Sequence, residues 1–214
     1  MTDKNKMSRK DFMKNTGKAV AGVAAIGTFG GVLTGCAGES GAQEAAPFPY
    51  EYKEIDPDEA RERSYNAYFE QGGWGVGVAE GFFGILADEY GYPYNQIPTE
   101  AFTLASSGYQ VGTLCGCLGV ASTAIGMVTD PDTAKGLTRK LYSWYEGEAF
   151  PIYQPEELDL TTTVADSVLC EVSVEKYKEA EGVEHGDHKR KARCAGVTAD
   201  VVGKLVEMMN EELL

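Results

Sequence analysis

The sequence predicts an all-α protein, a compact single-domain helical bundle placed after an N-terminal export signal. Three observations carry that prediction. Past about residue 55, no stretch of any length alternates apolar and polar residues at the two-residue period of a strand, whereas several repeat apolar residues at helical spacing. Acid–proline–acid signals stand where helices begin, at Asp56-Pro57-Asp58 and Asp130-Pro131-Asp132. The chain has 214 residues, 43% hydrophobic and 24% charged, enough for one domain with a substantial core.

The elements follow in order. Asp56 caps a first helix, with Pro57 in its first turn and Asp58 and Glu59 at the positive end of the helix dipole. That helix runs to about Gln71, turns Tyr65, Tyr68 and Phe69 inward, and stops at Gly72-Gly73. A second helix spans roughly Val76 to Tyr90 and ends at Gly91 and Pro93. Pro98 opens a third, to about Ser106. Thr113 to Val128 is nearly uncharged and reads as a buried helix, in which Gly116, Gly119 and Gly126 let a neighbour approach closely. Asp130 caps an amphipathic helix to about Tyr145, and a loop marked by Pro151 and Pro155 leads to 163–169. A short helix over Ser173–Ala180 and a strong terminal one over Thr198–Glu212 complete the fold.

The start of the chain is of another kind. Lys4, Lys6, Arg9, Lys10, Lys14 and Lys18 precede an apolar run from Ala19 to Leu33, which ends in Leu33-Thr34-Gly35-Cys36. A basic start, an apolar middle and a small-residue exit form a bacterial export signal over 1–35. The apolar run is too short to span a bilayer, which takes about 20 residues. Ser8-Arg9-Lys10-Asp11-Phe12 resembles a twin-arginine export motif with lysine in second place, so the ordinary unfolded-export route also stays open. Leu-Thr-Gly-Cys resembles a lipobox, making Cys36 a lipidated first residue that anchors an extracytoplasmic lipoprotein to the cell membrane. Residues 36–55 then serve as a flexible tether and 56–214 as the helical domain.

Charge excludes one class of partner. The chain carries 19 Lys+Arg against 33 Asp+Glu, net −14, and −18 from Cys36 onward. Nucleic-acid binding needs a positive surface, so it is not expected.

Removing Cys36 from the count of five cysteines leaves Cys115, Cys117, Cys170 and Cys194. Thiolates gathered from several segments suit an iron–sulfur cluster or zinc, and outside the cytoplasm they equally suit two disulfides. Spacing alone does not choose. Residues two apart on a helix diverge by about 200°, so Cys115 and Cys117 share a metal only where the backbone at Gly116 is not helical.

Four stretches narrow the choice: Gly112-Thr113-Leu114-Cys115-Gly116; Ser167-Val168-Leu169-Cys170 with Val172-Ser173; Arg193-Cys194-Ala195 with Thr198-Ala199-Asp200-Val201; and Val206-Glu207-Met208-Met209-Asn210. Together they resemble the C-GCAxxG-C-C family of redox-active proteins, in its split-Soret cytochrome branch, with weaker matches at Tyr68-Phe69 and Trp144-Tyr145. The resemblance implies a helical, homodimeric, exported electron carrier whose iron–sulfur cluster is held by Cys115, Cys170 and Cys194, working with a redox partner protein. Two departures stand out. The glycine-rich turn Gly72–Gly77 lacks the family's cysteine, while Cys117 replaces an alanine. Either the fourth ligand has moved to Cys117, or the cluster is lost and the protein is a disulfide-braced or thiol–disulfide module. Glu171 stands where the branch shows histidine, and no C-x-x-C-H occurs, which excludes covalent c-type haem.

The remaining chemistry is sparse. His185 and His188 lie in a Gly- and acid-rich stretch and read as a solvated loop. Lys189-Arg190-Lys191-Ala192-Arg193 precedes Cys194 and would favour its thiolate, or else forms a solvated helix face. With no nucleophile elbow, phosphate loop or catalytic triad in view, electron transfer is a better expectation than enzymatic turnover.

Overall fold

In the computed structural model, which describes residues 44–214, both acid–proline signals start helices. Asp56 accepts hydrogen bonds from the backbone N–H groups of Asp58 (2.8 Å) and Glu59 at the start of α1 (Pro57–Gln71). Gly72 closes that helix at φ +114°, a conformation glycine adopts without steric cost. α2 (Trp74–Ala79) continues through a π-helical stretch, Glu80–Gly84, into α3 (Ile85–Tyr90). α4 (Gly116–Val128) and α5 (Pro131–Gly147) follow, α5 capped by Asp130. After them come α6 (Cys170–Glu181) and α7 (His188–Leu213). The all-α expectation holds. Arg9, Lys10 and Phe12, with the rest of the expected export signal over 1–35, and Cys36 lie outside the described residues.

α7 is the axis of the fold. From Ala192 to Gly203 every residue is buried, so this part of the helix has no solvent face. α1, α2, α4, α5 and α6 all pack against it. Its small residues permit that crowding: at Gly196 an added Cβ would sit 2.7 Å from Pro151 Cβ. Val197, Val201, Val202, Leu205 and Val206 fill the core with Phe82, Phe83, Leu118 and Leu141.

Several boundaries differ from the sequence expectation, each for a physical reason. α7 begins ten residues before Thr198, because Asp187 caps it by accepting from Lys189 N–H (2.7 Å) and the basic run is helical. α6 begins at Cys170 and not at Ser173. α4 begins at Gly116, since 113–115 are extended and pair with another segment. The stretch after Pro98 is a 3₁₀ helix, Thr99–Ala105. A two-residue antiparallel ribbon, β1 (Ala149–Phe150) with β2 (Thr163–Val164), sets Ala149 opposite Val164. Strands that short leave no readable period.

The last residues of the expected tether, 36–55, pack on the body. Tyr50 N–H bonds to the Met127 carbonyl (2.8 Å), and Tyr94 Oη donates to the Glu51 carbonyl (2.7 Å). Tyr52 stacks on Phe82, and Ile55 is buried. From Tyr50 onward this segment is therefore a strap on the body, held by aromatic rings that a Gly- and Ala-rich composition upstream had obscured. Among the described residues no helix is long and apolar enough to cross a membrane.

Candidate functional site

Backbone pairing brings the first two cysteines together. Leu114 and Leu169 form an isolated antiparallel bridge, with Cys115 N–H bonded to the Val168 carbonyl (2.8 Å) and Cys170 N–H to the Thr113 carbonyl (2.7 Å). Each strand of the bridge runs directly into a helix. Cys115 is the N-cap of α4, extended at φ −53°, ψ 127°, and Cys170 is the first residue of α6. Both thiols thus lie at positive helix ends, which favour thiolate over thiol.

Two glycines make the juncture possible. A Cβ on Gly116 would collide with the backbone of Ala105, 2.8 Å from its carbonyl carbon. A Cβ on Gly108 would lie 2.8 Å from Cys170 Cβ. Gly108 belongs to a left-handed turn in which Ser107, Gly108, Tyr109 and Gln110 all have φ between +53° and +68°. For the three non-glycine residues that conformation costs roughly 1–2 kcal/mol each.

α7 supplies the third cysteine from its buried stretch. Cys194 lies one turn after Arg190, whose Nη1 is 3.9 Å from its Sγ, and one turn before Thr198, whose hydroxyl donates to the Cys194 carbonyl (2.8 Å). Cys115, Cys170 and Cys194 line one small cavity, of about 10 Å³, with Trp74, Tyr145, Ser173 and Arg193. The structure therefore brings three of the four expected cysteines to the wall of one cavity. Cys117 is not in that wall. Its Sγ is 3.2 Å from Thr198 Oγ1, and it shares a hydrogen bond with Cys115. All four are free thiols and buried. Among the described residues no three His, Cys, Asp or Glu side chains converge closely enough to hold a single metal ion.

The thiols are electrostatically unequal. Hydrogen bonding from Cys117 overcomes burial and, helped by Tyr145 and Arg193, brings Cys115 down to about 6. Burial and the neighbouring Cys115 charge push Cys117 up, so it remains a thiol. Burial and the charges of Cys115 and Cys194 raise Cys170 to about 12. Arg193 is itself only 2% exposed; burial opposes its charge, but Cys194, Tyr145 and Cys115 keep it protonated. Its Nη2 donates to Ser173 Oγ (2.8 Å) and its guanidinium lies over the Tyr177 ring, yet its Nε–H has no acceptor.

The histidines stand apart. His188 Nε2 contacts Glu156 (2.8 Å) on an exposed face, and His185 offers only its carbonyl, to Arg190 Nε. The basic run divides between two environments, Lys189 pairing with Glu181 outside while Arg190 and Arg193 turn inward. Sequence reasoning named that run but did not separate its residues. The signal was there: Arg193 lies between Ala192 and Cys194-Ala195, inside an apolar stretch. Trp74 and Tyr145 were not named as cavity walls; Tyr145 entered through the weaker family match at Trp144-Tyr145.

The family model described as "Putative redox-active protein (C_GCAxxG_C_C)" matches residues 78–208, a span that includes all four cysteines. The chain belongs to this family. It is similar to the split-Soret cytochrome c of Desulfovibrio desulfuricans, 29% identical over 97% of this chain and 79% of that protein. The solved structure of split-Soret cytochrome c from Desulfovibrio desulfuricans, described as having a novel iron centre, has the same fold. It superposes with a TM-score of 0.74 at 30% identity, covering 77% of this chain and 72% of that one. The resemblance carried by the cysteine-bearing stretches is thereby confirmed. In this member of the C_GCAxxG_C_C family, three of the cysteines, carried by the starts of α4 and α6 and by the middle of α7, line one cavity.

Proposed function

We propose that this redox-family protein is an exported, lipid-anchored electron carrier that binds an iron–sulfur cluster through Cys115, Cys170 and Cys194. The observation that carries the reading is the convergence of those three side chains on one buried cavity beside a buried arginine. The iron centre of the split-Soret relative supports iron over zinc.

The residues present fit such a group in chemistry. Three soft thiolate donors face a guanidinium whose buried Nε–H needs an acceptor, and an anionic cluster supplies one. With a free volume of about 10 Å³, entry requires the cysteine side chains to turn outward. When bound, the cluster supplies reversible one-electron transfer. The chain's own residues exclude water (Trp74, Tyr145), favour thiolate (the N-termini of α4 and α6) and balance charge (Arg190, Arg193). Cys117, expected as a fourth ligand, acts in this proposal by hydrogen-bonding Cys115. The anchor is Cys36, the working unit a homodimer at the outer face of the membrane, and the partner a second redox protein.

Anaerobic purification followed by iron, labile-sulfide and paramagnetic-resonance measurements tests the reading. We expect iron and sulfide in the wild type. A colourless protein without iron after reconstitution would sink it. One observation favours a second reading, thiol–disulfide exchange: the lowered Cys115 lies beside the protonated Cys117, an attacking thiolate next to a resolving thiol. Mass spectrometry of the unreduced, metal-free protein, showing all four thiols blocked, would select it.

A further inference from the structure

We infer that Arg193 is the residue that recognises the charge of the bound group, holding it in the cavity and setting its reduction potential. The inference rests on the iron–sulfur reading above and names the side chain that this reading needs.

The other arginines of the body with partners at hand use them fully. Arg61 pairs with Asp58 and Glu207, and Arg63 with Glu80 and Asp88. Arg190, also buried, gives its Nε–H to the His185 carbonyl (2.6 Å) and lies over the Trp74 ring. Arg193 differs from Arg61 and Arg63 in having no carboxylate partner, and from Arg190 in its unpaired Nε–H. In a chain with 33 acidic residues, it makes no ion pair with a carboxylate among the described residues. The nearby buried carboxylate, Asp200, is taken up by the backbone N–H groups of Ile152 (2.8 Å) and Tyr153 (2.9 Å). The Nε–H of Arg193 is left without an acceptor at the wall of the cavity that Cys115, Cys170 and Cys194 share.

A buried cation is costly unless an opposite charge is buried with it. The side chains positioned to provide that charge are the thiols, and they provide it only as thiolates. Ligating thiolates supply it, and so does the cluster they hold. Position also separates Arg193 from a simple brace. One face of the guanidinium is spent on the Tyr177 ring and one N–H on Ser173, while the Nε–H stays unpaired in a side chain that lines the thiol cavity. A charge and a spare donor are therefore both available to the bound group. A positive N–H donor beside a cluster stabilises its reduced, more negative state, so removing it moves the potential to more negative values.

The test uses the full chain, metal-free and after anaerobic reconstitution with iron and sulfide, as wild type, Arg193→Met and Arg193→Lys. Methionine keeps the length and loses charge and donors; lysine keeps the charge and loses the planar fork. We expect metal-free Arg193→Met to be at least as stable to urea as metal-free wild type. Once loaded, it should release its cluster at least tenfold faster than wild type, with a more negative potential. Arg193→Lys should release its cluster faster than wild type while keeping a potential nearer to it. Release rates and potentials equal to wild type in both variants would overturn the inference and leave the iron–sulfur reading standing. Equal losses of stability in the metal-free and loaded forms would mark a bracing role and overturn it too. If Arg193→Met does not fold, Arg193→Lys decides: wild-type release overturns, faster release supports. A wild type that takes up no iron overturns both readings together.

Discussion

The pKa of Cys115 is lowered where those of Cys117 and Cys170 are raised, and the hydrogen bond from Cys117 is the largest cause. In the metal-free protein the Cys115 thiolate should form with a midpoint near pH 6, read by difference absorbance, and Cys117→Ala should raise that midpoint because the Cys117 bond is the largest contribution. Replacing Cys115, Cys170 or Cys194 by serine should remove most of the iron, measured per chain. Cys117→Ala should keep more of it, because Cys117 lies outside the cavity wall. A second residue sets a pH dependence. Burial pushes Asp200 up from 3.8 to about 6, against the two backbone N–H groups that favour its charge. Folding thus favours the protonated acid: the contribution is complete below about pH 4 and is lost as pH rises through 6, roughly 3 kcal/mol in all. Urea midpoints at pH 7 and pH 5 should therefore shift in favour of the wild type at the lower pH, and Asp200→Asn should flatten the difference. At this scale the sequence showed the cysteines plainly, because their chemistry is in their identity. It did not show which arginine turns inward, because that depends on which face of α7 the core covers.

Elements were legible where a local signal sets them and illegible where pairing does. Asp56-Pro57 and Asp130-Pro131 start α1 and α5 as expected, since a cap acts within its own turn. The starts of α4 and α6 were misplaced by three residues each, because the bridge between Leu114 and Leu169 joins segments 55 residues apart and no local pattern announces it. The same bridge answers the question that a C-G-C sequence leaves open: Cys115 is off the helix, Cys117 is on it, and the two sulfurs are neighbours without sharing a wall. Close packing at this juncture gives a stability prediction. Gly116→Ala drives a methyl into the Ala105 backbone and should cost about 1–3 kcal/mol in chemical denaturation. Gly108→Ala, at φ +59° and against Cys170, should destabilise comparably and lower iron content as well.

At the scale of the whole molecule, charge and attachment are the testable properties. From Cys36 onward the chain carries a net charge of −18, so binding to a basic partner should weaken steeply with added salt. Cys36→Ser should release the protein from the membrane fraction, and unchanged fractionation would refute lipid attachment. The family could be read from four separated stretches because they lie where α4, α6 and α7 converge, and a shared site leaves its trace in each segment that builds it. The strap from Tyr50 was not legible, since its packing partners, Phe82, Tyr94, Met127 and Asn210, are scattered along the chain.

That α7 is central to the fold and follows the helices that pack on it fixes an order of events during synthesis. Cys115 and Cys170 leave the ribosome well before Cys194, and the 26-residue helix on which five others pack emerges after all five. Neither the core nor the three-thiol wall exists until α7 has emerged. Assembly thus waits for α7 and is nearly all-or-none, and truncation ahead of α7 should abolish folding and, on the proposed reading, metal uptake together. On that reading, a chain loaded with iron before export must cross the membrane as a finished body, and one threaded through unfolded must find its iron outside.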